Sequence, residues 1–435
     1  SPSGPTNRNE SIAQVMLFYF CKGGEAMTEE AFVHAVRAAG ARVFRVGGCV
    51  RDIFRGMEAK DVDYVLTGIT EEKFCALFPR AEKIGRAFPV YHVRIDGMRC
   101  EVAFARREIK TGAGYRGFDV AFDPSVVIEE DLYRRDTTMN AMAIELPGEN
   151  LIDPYGGRED IAAGVVRAVS EHFTEDPVRA LRAARQAAEF GYIVEERTLS
   201  CMRRCADELR NEPAERLMGE LRRALAAPRP SVFFRVLRAA DLLSLTFPEI
   251  AALEGQTQPT DIHPEGDAFA HTMAMADAVA AETADVCTRF AALVHDLGKG
   301  FTPAEMLPHH YGHERTGLDA LAAWNRRMTL PHDWYKAAAF VIRAHMRAPR
   351  LTRLGKIVDL LFGVEASGIS LQEFNIIIRA DHGSLPPYLV HGADCLAAMS
   401  AVTGNDAPPG LSGEEIGRWL REARIRVLKR RCKDL

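Results

Sequence analysis

The sequence predicts an α+β head followed by an all-helical remainder, and three observations carry that expectation. Up to about residue 150, short β-type runs (RVFRV, VDYVLTG, YHVRID, RCEVAFA, AMAIEL) alternate with helical stretches. After DPYGG at 153–157 the strand signals stop, and from about 175 an Ala-, Leu-, Arg- and Glu-rich text spaces its apolar residues by three and four. Joints at APRP (227–230), QTQPTDIHPEG (256–266) and DAPPG (406–410) then punctuate the helices. These changes divide the chain into an N-terminal extension (1–40), a head (41–147), a helical neck and body (148–256), a histidine-rich helical domain (257–400) and a basic helical tail (401–435).

Composition sets the class. A chain of 435 residues with 47% hydrophobic and 26% charged residues is a soluble globular protein rather than a disordered one. Its longest apolar run near the start, IAQVMLFYF at 12–20, is far short of the roughly 20 residues that span a membrane. It lacks a basic leader and a small-residue cleavage site, so it reads as a leading extension, with Met27 as the natural start of the fold. Nine cysteines, odd in number and without a CxxC pair, imply a reduced, cytoplasmic setting. The net charge of −5 excludes nucleic-acid binding through overall charge. Local basic stretches remain: Lys336, Arg343, Arg347, Arg350, Arg353 and Lys356 come without an acidic residue among them, and the tail RWLREARIRVLKRRCKDL is densely basic.

The first chemistry lies in VFRVGGCVRDIFRGMEAKDVDYV, residues 43–65. Side chains two apart on a strand share a face, so Asp61 and Asp63 would aim two carboxylates at one spot with their Cα atoms ~7 Å apart. Hard oxygen ligands on a rigid strand suit Mg²⁺ bridging phosphate oxygens. The Gly47-Gly48 turn leads into a helix expected to begin near Val50, where backbone N–H groups favour a phosphate and Arg51 adds a bidentate cation. Taken together, GG, RD and DxD at this spacing resemble the signature of the DNA polymerase beta-like nucleotidyltransferases. The resemblance implies a third carboxylate on a neighbouring strand, with Glu101 as the candidate and Asp96 close by.

Two later motifs narrow the substrate. DLYRRDTTMNAMAIE (131–145) puts Asp136 where a helix N-cap would be, ahead of a short helix carrying Asn140. EDPVRALRAARQAAEFGY (175–192) reads as a helix with Asp176 as N-cap and Pro177 as first residue; Arg179, Arg182 and Arg185 recur on the face opposite Leu181, Ala184 and Ala188. Both stretches resemble motifs of the class II tRNA nucleotidyltransferases. That resemblance implies that Arg135 contacts the nucleotide near its ribose, that Asp176 and Arg179 read the base edge, and that Arg182 and Arg185 help bind the nucleotide, with Gly48 and Arg51 in the phosphate cradle. Residues 107–132 correspond in position to that family's flexible loop and favour full CCA addition.

The C-terminal half carries HPEGDAFAHTM (263–273), RFAALVHDLGKG (289–300), PHHYGHERTG (308–317), IRAHMRA (342–348) and IIRADHGS (377–384). A lone helical histidine is ordinarily a packed core residue, but the adjacent His295-Asp296 with His271 before and Asp381 after supply mixed imidazole and carboxylate ligands. Such a set suits a divalent transition metal, or Mg²⁺, that activates water. The order resembles the HD phosphohydrolase superfamily; His313 and His345 extend the set toward a second metal, and His309 and His310 flank it.

A class II head followed by an HD domain is the arrangement of the bacterial multifunctional CCA proteins. The resemblance implies addition and repair of the 3′-terminal CCA of tRNA from CTP and ATP, with the helical parts gripping the acceptor stem by shape and phosphate contacts. It also implies hydrolysis of 2′,3′-cyclic or 2′-phosphate ends and phosphatase activity at the HD site, no membrane partner, and a monomer or homodimer. The rival readings are an enzyme adding only C, only A or a poly(A) tail, and an HD phosphohydrolase whose head binds RNA without catalysis. The intact Asp61/Asp63 pair argues against the last.

Overall fold

The computed structural model describes residues 27–431 apart from 60, 85–88, 111, 113–117, 122 and 260–265. Most of the expected extension (1–26), much of the expected flexible loop, His263 and the last four residues of the tail lie outside the described residues. The chain divides into two compact units at Glu212/Pro213.

The first unit opens with helix α1, Glu29–Ala38, started by the Thr28 hydroxyl accepting the Ala31 N–H and by two glutamates in the first turn. Next come β1 (Arg42–Val46), α2 (Gly48–Phe54), β2 (Asp63–Thr67), α3 (Glu71–Leu77), β3 (Glu82–Lys83), β4 (Val90–Ile95) and β5 (Met98–Phe104). A hairpin of β6 (Arg107–Lys110) and β7 (Phe118–Ala121) follows, so the expected loop is partly regular strand. Then α4 (Ile128–Tyr133), β8 (Ala143–Leu146) and β9 (Asn150–Ile152) complete the head.

Seven strands form one sheet in the order β3-β4-β5-β2-β1-β8-β9. Within it only β2 and β5 run parallel; the other neighbours are antiparallel. Alternate residues feed opposite faces, as a period of two requires. Val43, Tyr64, Leu66, Val102 and Phe104 pack with Phe32 and Val36 of α1 and Phe74 of α3. Phe44, Val46 and Val65 pack on the other face with Ile128 and Leu132 of α4. Residues 27–40 therefore belong partly to the head's core rather than to an extension outside it.

Beyond the sheet lie α5 (Gly157–Ala163), β10 (Val165–Val166), α6 (Val178–Phe190), β11 (Ile193–Val194) and α7 (Glu196–Arg204). Strands β10 and β11 pair in parallel, which corrects the expectation that strands end at DPYGG. Two residues each are too few to leave a period in the sequence.

The second unit is helical: α8 (Ala214–Ala226), α9 (Ser231–Ala239), α10 (Ala268–Glu282), α11 (Val286–Leu293), α12 (His313–Met328), α13 (His332–Ala344), α14 (Leu354–Ser367), α15 (Leu371–His382), α16 (Gly392–Ser400) and α17 (Gly413–Arg431), with shorter turns between. Phe247, Trp324, Phe290 and Trp334 form a chain of ring contacts through its core, at centroid separations of 5.7, 5.6 and 4.9 Å. The buried Arg289 guanidinium donates to the carbonyls of Thr283, Leu225, Ala227 and Ala280, satisfying helix ends that would otherwise be orphaned. The basic tail is not a separate arm: α17 packs on α14 and α16, with Arg421 paired to Asp359 at 2.9 Å and Arg424 over the Phe362 ring. Among the described residues, no helix is long and apolar enough to cross a membrane.

Candidate functional site

In the head, β2 begins at Asp63, so Asp61 sits in the bend just before the strand rather than on it. Asp63 is half-buried and Asp61 exposed. Glu101 is the register partner of Asp63 on the parallel strand β5. Asp96 lies instead in the β4–β5 turn, with φ 49°, and accepts the Glu29 N–H at 3.3 Å, so of the two candidates it is Glu101 that stands beside Asp63. Burial first, then the charge of Glu101, and to a lesser degree Asp61, push the Asp63 carboxyl up to about 6, although Arg135 works the other way.

The glycine turn stands beside these carboxylates, since Val46 pairs with Asp63 across β1 and β2. Gly47 has φ 72°, a conformation glycine adopts without strain, and it caps α2, which starts at Gly48 rather than near Val50. A Cβ on Gly47 would lie 3.1 Å from Arg135 Nη1, and one on Gly48 3.5 Å from Arg51 Nη2. Two guanidiniums therefore flank the turn. Arg51 Nη1 donates to Asn140 Oδ1 at 2.9 Å and pairs with Asp52. Arg135 pairs with the fully buried Asp131 at 3.1 Å. Burial alone would raise the Asp131 carboxyl, but Arg134 and Arg135 outweigh it and hold it at about 2.

The expected N-cap role of Asp136 is corrected. Thr137 holds that position before a 3₁₀ turn at Thr138–Asn140, and Asp136 is buried beneath it. Its Oδ1 accepts from Thr137 N at 2.7 Å and Asn140 Nδ2 at 3.1 Å, and its Oδ2 meets Arg182 Nη2 at 2.9 Å. Helix α6 likewise starts one residue late, at Val178, with Asp176 Oδ1 accepting the Val178 N–H at 3.2 Å. Its arginines do not form one solvated face. Arg179 is buried and donates to the His172 carbonyl, Arg182 meets Asp136, and Arg185 pairs with Glu189 at 2.6 Å.

DPYGG has a structural explanation. Asp153 accepts the N–H groups of Gly157 and Arg158 at 2.7 and 2.9 Å, and a Cβ on Gly157 would lie 2.3 Å from the Thr138 carbonyl. The motif thus seats α5 directly against the turn carrying Asn140.

The second unit brings six predicted residues together. His271 comes from α10, His295 and Asp296 from the end of α11, His313 from the start of α12, His345 from the end of α13 and Asp381 from α15. His271, His295 and Asp296 form one group of donor atoms within 4.8 Å; Asp296, His313 and His345 form another. Asp296 belongs to both: Oδ2 lies 3.1 Å from His295 Nε2, and Oδ1 lies 3.3 Å from both His313 Nε2 and His345 Nε2. Asp381 Oδ1 lies 3.3 Å from His271 Nε2.

The chemistry of this set fits divalent metal. Nδ1 of His295, His313 and His345 each faces a backbone carbonyl, at 2.8, 2.7 and 3.1 Å. A carbonyl only accepts, so the proton belongs on Nδ1 and Nε2 is directed to the cluster as a ligand. His295 Nε2 and both Asp296 oxygens are buried without a well-aligned hydrogen bond. Burial works against an imidazolium at His295, but Asp296 and Asp381 outweigh it and carry its pKa up, while both carboxyls are held well below their usual range. His310 bonds Thr302 and the Thr257 carbonyl and His309 stacks on Tyr311, so neither joins the donor groups. Sequence reading missed Lys299, whose buried Nζ lies 2.5 Å from Asp296 Oδ2 and donates to Gln258 at 2.6 Å; its place one helical turn after Asp296 was the available signal.

Comparison with known proteins agrees with this layout. Family models match for the Poly A polymerase head domain at residues 43–167, the probable RNA and SrmB-binding site of polymerase A at 191–253, and the HD domain at 268–367. The multifunctional CCA protein of Nitrosococcus oceani is 40% identical over 402 residues, covering 89% of this chain and 98% of that protein. That of Methylococcus capsulatus is 42% identical over 410 residues, covering 89% and 95%. Among solved structures, the CCA-adding enzyme of Bacillus stearothermophilus in complex with CTP superposes with a TM-score of 0.63 at 24% identity over 91% of this chain and 90% of that one, a likeness of fold.

Proposed function

Because this chain belongs to the family of multifunctional CCA proteins, we infer that it adds and repairs the 3′-terminal CCA of tRNA from CTP and ATP, and that it carries a metal-dependent HD phosphohydrolase in the same polypeptide. The observation that supports the first activity best is the Asp63–Glu101 pair beside a glycine turn flanked by Arg51 and Arg135.

Asp61 and Asp63, with Glu101, would hold Mg²⁺ in the head. A divalent ion held there would offset charge on the α-phosphate and lower the pKa of the tRNA 3′-hydroxyl, the oxygen that displaces pyrophosphate from the α-phosphorus. Gly48, Arg51 and Arg135 would cradle the triphosphate, and Arg182 and Arg185 would contact the nucleotide. Asp176 and Arg179 would read the base edge, because carboxylate and guanidinium offer the acceptor and donors that distinguish Watson–Crick edges. The His172 carbonyl orients Arg179 for that task without exhausting a group that has five donors. Basic residues of the helical second unit, Arg343, Arg347 and Arg350 among them, would contact acceptor-stem phosphates, which reconciles RNA binding with a net charge of −5. The reaction belongs in the cytoplasm.

In the second unit, His271, His295, Asp296 and Asp381 would hold one divalent ion, and Asp296, His313 and His345 a second. Ions held there would supply a water acidic enough to attack phosphorus at neutral pH. Lys299 would hold the Asp296 carboxylate in place, and the substrates would be 2′,3′-cyclic phosphates, 2′-nucleotides and other phosphomonoesters.

Incorporation of labelled CTP and ATP into tRNA lacking CCA tests the first activity, and Asp61→Ala with an unchanged fold should abolish it. For the second, loss of 2′,3′-cyclic phosphate hydrolysis in His295→Ala is expected; intact hydrolysis would move that activity elsewhere.

A further inference from the structure

Along α6, Arg182, Gln186 and Phe190 follow at four-residue intervals and so share one face of the helix. Gln186 is buried, its Nε2 donating to Asp136 Oδ2 at 3.2 Å and its Oε1 accepting from Thr137 Oγ1 at 2.9 Å. The same Asp136 oxygen meets Arg182, so Gln186 and Arg182 grip one carboxylate. One turn further, the Phe190 ring lies under two guanidiniums, with Arg51 Cζ 4.6 Å and Arg55 Cζ 4.2 Å from its centroid. Two cations on one ring repel each other; Asp52 Oδ1, 2.9 Å from Arg51 and 3.5 Å from Arg55, offsets that repulsion. Arg51 is therefore braced by Asn140, Asp52 and Phe190, and Asn140 is itself held by Asp136.

We propose that Gln186 and Phe190 are positioning residues through which α6 fixes the nucleotide site at both ends, Gln186 holding in place, with Arg182, the helix whose Arg179 would read the base edge beside Asp176, and Phe190 setting Arg51 for triphosphate binding. The proposal rests on the nucleotidyltransferase reading above. Gln186 acts through the seating of α6 on Asp136 and Thr137 and Phe190 through Arg51, so the helix that reads the base and the turn that holds the phosphates form one hydrogen-bonded and ring-stacked unit. A helix tied at only one of these points would leave either the base edge or the triphosphate loosely held.

The full-length protein is assayed on tRNA ending before CCA and on tRNA ending in CC. No extension by the wild type overturns the nucleotidyltransferase reading itself, and the proposal with it. Given extension, Phe190→Leu is expected to raise KM for CTP on the first tRNA and for ATP on the second about fivefold each, with kcat unchanged, as loss of the ring's cation contacts requires. Phe190→Trp, which keeps an aromatic face, is expected to restore both. Gln186→Leu is expected to raise UMP and GMP misincorporation relative to CMP and AMP about threefold, as loss of one hydrogen bond implies. KM and misincorporation ratios do not depend on the fraction of active enzyme, so partial misfolding cannot imitate either result. Unchanged KM values in Phe190→Leu, failure of Phe190→Trp to restore them, or an unchanged misincorporation ratio in Gln186→Leu overturns the proposal.

Discussion

The half-buried Asp63 stands directly across from the exposed Glu101 on the parallel strand β5, beside the glycine turn. Burial and that neighbour raise the Asp63 carboxyl from 3.8 to about 6. With the folded value above the unfolded one, folding favours the protonated form, so stability is lost as pH rises from near 4 through about 6. In chelator at pH 8, Asp63→Asn should therefore be more stable than wild type by roughly 3 kcal/mol, and with Mg²⁺ supplied its incorporation should fall about a thousandfold below that of wild type. Mg²⁺ should raise the melting temperature of the wild type and not of the variant. Thermal melts with and without Mg²⁺ check both, and an Asn variant less stable in chelator would contradict the account.

Asp131 shows the opposite sign. Arg134 and Arg135 hold its buried carboxyl at about 2, so the contribution is fully present above pH 4 and lost as pH falls through about 2. Asp131→Asn should cost about 2 kcal/mol or more at pH 7, because two buried-edge guanidiniums then face a neutral amide. Denaturant titrations at several pH values should show the gap between wild type and variant closing between pH 4 and pH 2; a constant gap would mean that the ion pair does not carry the effect.

The sequence made the chemistry more legible than the packing. His271, His295, Asp296 and Asp381 stood out because an imidazole-carboxylate order is rare by chance, and the structure brings them together from two helices and the turn that ends a third. The strand's period paired Asp63 with Asp61, which the structure places in the bend before β2, and Glu101 was readable only through the family resemblance. Gln186 and Phe190 were not, since a glutamine on a helix resembles a solvated residue and a terminal phenylalanine resembles ordinary core. Arg179 misled for the same reason: the spacing of three describes a face, not whether that face meets solvent or the backbone carbonyl of His172. The place of α1 in the head's core was also illegible, because a helix that docks on a distant sheet face leaves no local signal.

Gly298 in the HDLGKG stretch has no room for a side chain. A Cβ there would lie 1.9 Å from the His313 carbonyl and 2.6 Å from the Gly317 nitrogen, both backbone atoms. Gly298→Ala should push the start of α12 away from Asp296, at a cost of about 1–3 kcal/mol, and lower bound metal and phosphohydrolase activity together. CCA addition should persist, because the head's carboxylates lie in the other unit. Metal analysis alongside both assays checks this; undiminished metal content would show that the helix start yields without moving His313.

The sharing of Asp296 between two donor groups makes metal stoichiometry informative. Wild-type protein loaded with Mn²⁺ or Co²⁺ and desalted should hold about two ions in the second unit. His313→Ala and His271→Ala should each lose about one, and Asp296→Asn about both. A wild-type value of one that His313→Ala leaves unchanged would restrict the site to the His271, His295, Asp296 and Asp381 set.

The most direct test of the central claim is sequencing the 3′ ends made from tRNA lacking CCA with all four nucleoside triphosphates present, using wild type and Asp63→Asn. The account predicts ends that stop at CCA with the wild type and unextended tRNA with the variant. Ends of only C, only A, a poly(A) tail or mixed bases, or full extension by Asp63→Asn, would contradict it.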